Sequence, residues 1–148
     1  MKMKVRNIFA AAAIGLAATA FSAEAAKMKA IYTVPHEFDM LLKSGHIQGL
    51  ACSEKGIYLS HQEGLAKIGW EGKLVKHIET PRHLGGIACA NGKIYGAFII
   101  RGKKDMKDGK PGLLRVWDED LNQVDEKAFP ETAGSVGVLG DTIYYAIG

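Results

Sequence analysis

Two cysteines and four prolines in 148 residues, with almost no surplus charge of either sign, set the first limits on this chain. Two cysteines cannot build the disulfide framework that holds small secreted domains lacking a core. A formal net charge of +3 gives no electrostatic case for nucleic acid or for an anionic membrane surface. The motifs that announce common chemistries are missing too: no GxSxG, no HExxH, no P-loop and no paired CxxC. Residues 103–109 contain Asp and Gly but lack the acidic spacing of an EF-hand loop.

Long apolar runs are also scarce. One stretch, residues 8–21, is uncharged and alanine-rich; Lys2, Lys4 and Arg6 precede it and Ala23-Glu24-Ala25 follows. That order of basic, apolar and small-x-small segments is the layout of a secretory leader, expected to occupy residues 1–25. The run is shorter than the roughly 20 residues a spanning helix needs, so a retained anchor fits less well. The expected destination is the periplasm or the exterior, with no membrane span left after cleavage. Removing the leader takes three basic residues and Glu24 away and brings the net charge close to neutral. What remains is long enough to bury one ordinary core.

The sequence is rich in self-similarity. HIQGLACSEKGIYLSH, residues 46–61, returns as HLGGIACANGKIYGAF, residues 83–98, keeping His46/His83, Gly49/Gly86, Ala51/Ala88, Cys52/Cys89, Ile57/Ile94 and Tyr58/Tyr95 in register. A weaker third copy, SVGVLGDTIYYAI, spans residues 135–147. The charged, Gly- and Lys-rich segment 101–112 reads as a surface loop inserted in the second unit. Strand and turn signals divide the first unit into strands at 49–52, 57–60, 65–68 and 74–78. The second has strands at 87–89, 93–100, 113–117 and 122–128, with a turn at Asp118-Glu119-Asp120. Four short antiparallel strands joined by tight turns make one propeller blade, and a lone twisted sheet of this kind cannot bury both faces, so blades must stack. The expected fold is all-β: residues 46–148 form two full blades and the start of a third, an incomplete propeller. Residues 26–45 precede the blades and include a candidate closing strand at 29–34. Closing a ring takes about four to eight blades, so the chain reads as part of a longer protein or as one that joins other chains. Gly49, Ala51, Gly86 and Ala88 are expected on the innermost strands, where blades crowd together.

HxxGxA followed by a turn and Ile-Tyr, then GLAKIGWEGKLV, resembles the repeat of secreted six-bladed β-propellers of the NHL and gluconolactonase-like kind. The resemblance covers residues 46–148 and implies the fold more firmly than any reaction. That superfamily holds sugar-acid lactonases, calcium-dependent esterases, a zinc-dependent amidating lyase and members of no known activity. It would place His46 and His83 around one mouth of the central channel, with His61 and Arg82 beside them. Two readings follow: these imidazoles hold a ligand or a divalent ion, Ca or Zn, or they pin turns through backbone bonds. Thr132 takes their place in the third unit. Arg82 and Arg101 would suit an anionic ligand or are plain surface charge, while His36 and His77 read as solvated. Equivalent positions in neighbouring blades lie about 10 Å apart, beyond the span of a disulfide, so Cys52 and Cys89 are expected as two free thiols buried between blades. The Asp118–Asp120 turn reads as solvated rather than as a calcium site. The leading functional reading is a non-catalytic scaffold that binds a small molecule or a protein at the channel face. The alternative is a metal-dependent hydrolase, lactonase or lyase.

Overall fold

A computed structural model describes residues 4–5, 46–81, 83–100, 102–103 and 106–147. Residues 1–25, expected as a leader, lie outside these residues apart from Lys4 and Val5, as do the segment 26–45 with its candidate strand, His36, Arg82 and Arg101. Among the described residues every regular element is a strand.

The first repeat forms one antiparallel sheet in chain order, β2 (Ile47–Ser53), β3 (Gly56–His61), β4 (Gly64–Ile68) and β5 (Leu74–Glu79). The second forms another: β6 (Leu84–Ala90), β7 (Lys93–Ile99), β8 (Gly112–Asp118) and β9 (Gln123–Phe129). The third sheet pairs β10 (Ala133–Leu139) with β11 (Thr142–Ile147), and β1 (Lys4–Val5) lies parallel against the other edge of β11. The two blades and the start of a third expected from the repeat are therefore present. The inserted loop falls between β7 and β8, where Lys107 and Lys110 bridge in a small hairpin of their own.

Side chains alternate across a strand, and the second sheet uses both of its faces. Ile94, Phe98, Leu113 and Trp117 join Ala51, Tyr58 and Leu65 of the first sheet in one buried cluster. Tyr95, Ala97, Leu114 and Val116 face the other way and meet Ala133, Val136 and Ile143 of the third sheet. Burial on both faces explains why IYGAFI reads as one apolar run instead of an alternating one.

The inner strands hold the stack together: β2 packs on β6, and β6 on β10. A Cβ added at Gly49 would lie 3.0 Å from Gly86 Cα and 2.9 Å from Ile87 N, and one added at Gly86 would lie 3.2 Å from Ser135 Cα. Gly49, Gly86 and Ser135 hold the same place in the three copies, so equivalent residues of successive sheets touch in a column. Ser60, fully buried, ties the first junction by donating to Gly85 O at 2.7 Å.

Both cysteines are free. Their burial departs from expectation, because Cys52 is exposed and Cys89 only half buried. The equivalent thiols point in the same sense: Cys89 meets the cluster between the first two sheets, while Cys52 lies on the opposite side of its strand from Ala51, which packs into that cluster.

Candidate functional site

The sheets meet at their outer strands through turns, and the first junction shows how. In the first sheet Tyr58, Lys67 and Lys76 stand side by side across β3, β4 and β5. The β8–β9 turn of the second sheet settles on this row. Tyr58 Oη donates to Glu119 O at 3.0 Å, Lys67 Nζ to Asp120 Oδ1 at 2.8 Å, and Lys76 Nζ to Asp120 O at 2.7 Å. Lys55 adds an ion pair to Glu119 at 3.1 Å. The turn is shaped by Asp118, whose Oδ1 accepts from the amides of Asp120 and Asn122 at 2.9 and 2.8 Å. The hydrogen bond from Lys67 holds the Asp120 carboxyl below its usual range, and the Asn122 side chain does the same for Asp118. The acidic run, expected as a solvated turn, is thus the docking tip of the second blade. Lys67 is buried and would be left without its carboxylate if Asp120 were removed.

At the second junction the corresponding row is Tyr95, Val116 and Asp125 across β7, β8 and β9. Here a cavity of about 240 Å³ opens between the second and third sheets, lined by that row together with Asn91, Lys93, Val138, Gly140, Asp141 and Ile143. Three aliphatic side chains supply apolar wall, while Lys93, Asp125, Asp141 and the Tyr95 phenol supply converging polar groups. Burial, then the neighbouring Cys89 and Asp141, raises the Tyr95 phenol above its ordinary pKa and keeps it a hydrogen-bond donor at neutral pH. A concave, partly apolar site with a few polar groups is the form ligand sites take.

The opposite end of the sheets carries the histidines. Strand register puts His46 and His61 at one end of the first sheet, since Ile47 pairs with His61, and His83 at the same end of the second, where its carbonyl accepts from Ile99 N at 3.1 Å. His46 is exposed, and its Nε2 lies 3.1 Å from Gln48 Nε2. Among the described residues no three His, Cys, Asp or Glu side chains gather as an ion would require.

His61 is brought instead to His77, Nε2 to Nε2 at 2.9 Å. The ring planes differ by 13° and the centroids stand 5.1 Å apart. That separation is about as large as the Nε2 gap allows, so the rings meet end on through one straight hydrogen bond rather than face to face. His77, expected to be solvated, is half buried in this pair. The partners reach across β4 because Gly64 between them has no side chain: a Cβ there would lie 2.5 Å from both Nε2 atoms. End-on rings aim both lone pairs along one line, which suits a shared proton and not an ion held by converging donors. Leaving the buried His61 Nδ1 without a partner costs least if that nitrogen carries no proton and Nε2 donates to His77.

Burial first, and His77 second, push the His61 imidazole below its ordinary pKa, against a smaller upward pull from Glu63. A depressed pKa in the folded state means that the unfolded chain binds the proton more readily. The stabilisation is therefore complete above the ordinary histidine value of about 6.5 and declines as pH falls from there toward the lower folded value. Urea unfolding at stepped pH should show this decline, and His61→Gln should flatten it; an equal decline in the variant would refute the assignment.

No known family model matches the chain, and no curated protein matches it. The class is defined by the fold alone: an all-β protein of stacked, four-stranded antiparallel blades forming an incomplete propeller.

Proposed function

We propose that this chain is an exported, non-catalytic binding scaffold of the NHL and gluconolactonase-like type, and that it takes its ligand in the cavity between the second and third sheets. The observation that carries the reading is the cavity itself. Its aliphatic wall of Val116, Val138 and Ile143 and its polar groups at Lys93, Tyr95, Asp125 and Asp141 suit a ligand with an apolar body and charged ends. Lys93, Tyr95 and Asp125 stand on strands and are held in place by the second sheet, while Asp141 is presented by the tight turn between β10 and β11.

Amide chemical shifts recorded against a small-molecule and peptide fragment set test this directly. Shifts should cluster at Lys93, Tyr95, Asp125 and Asp141, without turnover of the added compound. Shifts confined to His46 and His83, accompanied by hydrolysis of an added lactone or ester, would overturn the scaffold reading in favour of the hydrolase.

A further inference from the structure

We propose that the His61–His77 pair is the seat of a single monovalent cation held by two opposed nitrogens, the linear, two-coordinate arrangement that Cu(I) accepts. Neither histidine lines the cavity between the second and third sheets, and both belong to the first sheet, so the inference stands apart from the ligand proposed for that cavity.

The fit follows from where the lone pairs point. The two Nε2 atoms stand 2.9 Å apart, with ring planes 13° from parallel and centroids 5.1 Å apart, so each lone pair runs along the line to the other ring. Donors set head to head leave one place for a bridging centre, on the line between them. Among the described residues no third His, Cys, Asp or Glu completes a group around an ion.

Donor geometry is diagnostic of the metal. Zn(II) and Ca(II) ask for four or more donors converging from different directions, which this pair does not give. A monovalent ion with a filled d shell, Cu(I) or Ag(I), is satisfied by two donors in line. Its single charge is also the least costly to bury beside neutral imidazoles, and Glu63 is close enough for its carboxylate to act on His61.

Room for the ion comes from the sheet. Nitrogen–metal bonds of about 2 Å set the nitrogens about 4 Å apart, so the rings must part by about 1 Å. His77 is half buried on β5, which ends its sheet and is paired on one side, so this ring can turn outward. Gly64 keeps the space between the rings clear, since a Cβ there would lie 2.5 Å from both Nε2 atoms. On binding, the proton on His61 Nε2 leaves and Nδ1 takes one up, so both rings stay neutral and the site gains the charge of the ion. That Nδ1 is buried without an acceptor, which lowers the affinity but leaves the alignment unchanged.

Silver titration of the full chain tests the proposal. It is run in chloride-free buffer with both free thiols replaced (Cys52→Ser, Cys89→Ser), because thiolates take up the same soft ions. Imidazole nitrogen spectra should show one equivalent of Ag(I) moving the Nε2 resonances of His61 and His77 together, each split by the silver spin, with His61 Nδ1 becoming protonated. Zn(II) should leave both rings unmoved, and Cu(I) supplied without oxygen should displace the silver. Losing a donor should cost more than the roughly 10- to 100-fold that a lost supporting hydrogen bond costs, so His61→Gln and His77→Gln should each bind over about 100-fold more weakly. His77→Gln, on the outer strand, carries the test if His61→Gln fails to fold. Gly64→Ala keeps both imidazoles and should still weaken binding, because the methyl group falls where the rings align. The exposed His46 is the control, and His46→Gln should bind as the parent does. Silver that moves neither ring, that splits one ring alone, or that binds equally well after His77→Gln would overturn the proposal. So would Zn(II) moving both rings at the same ratio, or Cu(I) leaving the silver in place.

Discussion

Replacing Gly85 with alanine is expected to cost about 3 kcal/mol or more, the upper range for forcing extra volume into a packed interior. Gly85 lies in β6, and a Cβ built on it collides with Gly134 O and falls 3.0 Å from Gly134 C. Those are backbone atoms of the adjoining sheet, which no rotamer change can move aside. The inner strands β6 and β10 would have to separate, and with them the buried cluster of Tyr95, Ala97, Val136 and Ile143. Gly137 provides the contrast on the opposite face of β10, since it alternates with Val136 and Val138, which face the second sheet, and nothing lies within 4 Å of its added Cβ. Gly137→Ala should be neutral or slightly stabilising, by about 0.5 kcal/mol, through a less flexible unfolded chain. Urea midpoints of the two variants at matched slope decide the point, and equal effects would mean that the sheets do not stack as described.

Trp117→Ala should be comparably severe, about 3–5 kcal/mol, as expected for truncating a large buried aromatic. Trp117 is 2% exposed and lies near the end of β8 in the cluster shared by the first two sheets. Its ring lies 6.2 Å from that of Phe98 and sits over Gly96, whose added Cβ would be 2.8 Å from Cζ3. The cavity left behind opens toward Tyr58 and Leu65, which belong to the other sheet, so collapse would require the sheets to move together. Trp117→Phe keeps most of the apolar volume and should lose less than half as much. A loss under about 1 kcal/mol for Trp117→Ala would place this side chain outside the core.

The strands were readable because each unit says the same thing twice, and boundaries differ from the pattern by a few residues at most. The largest difference is at β6, expected from 87 and observed from Leu84. The expected strand at 87–89 leaves out Gly85 and Gly86, which lie within β6 where the backbone of the third sheet approaches too closely for a side chain. Pattern alone shows which residues lie inside a strand, but not which neighbour forbids a side chain. The His61–His77 pair was hidden for a related reason. Its partners sit on β3 and β5, with His61 opposite Gly64 and His77 opposite Ala66, so the rings meet on a diagonal that only the register and the bare Gly64 leave open. The docking role of Asp118–Asp120 and the cavity at Tyr95, Val116 and Asp125 depend on how one sheet lies against the next, which no single strand records. Once the sheets are stacked, the repeat becomes informative again, because the same register rows can be compared between junctions.

The central claim is that equivalent inner strands of successive repeats lie in direct contact. Proton–proton Overhauser effects in the isotopically labelled chain test it most directly. The account predicts strong cross-peaks from Gly49 Hα to the Ile87 amide and from Gly86 Hα to Ser135 Hα, where a side-chain position would lie 2.9 and 3.2 Å from the facing backbone atoms. Cross-peaks within the first sheet, such as Gly49 to Ser60, with none between Gly49 and Ile87 or between Gly86 and Ser135, would show that the sheets form but do not stack, and would contradict it.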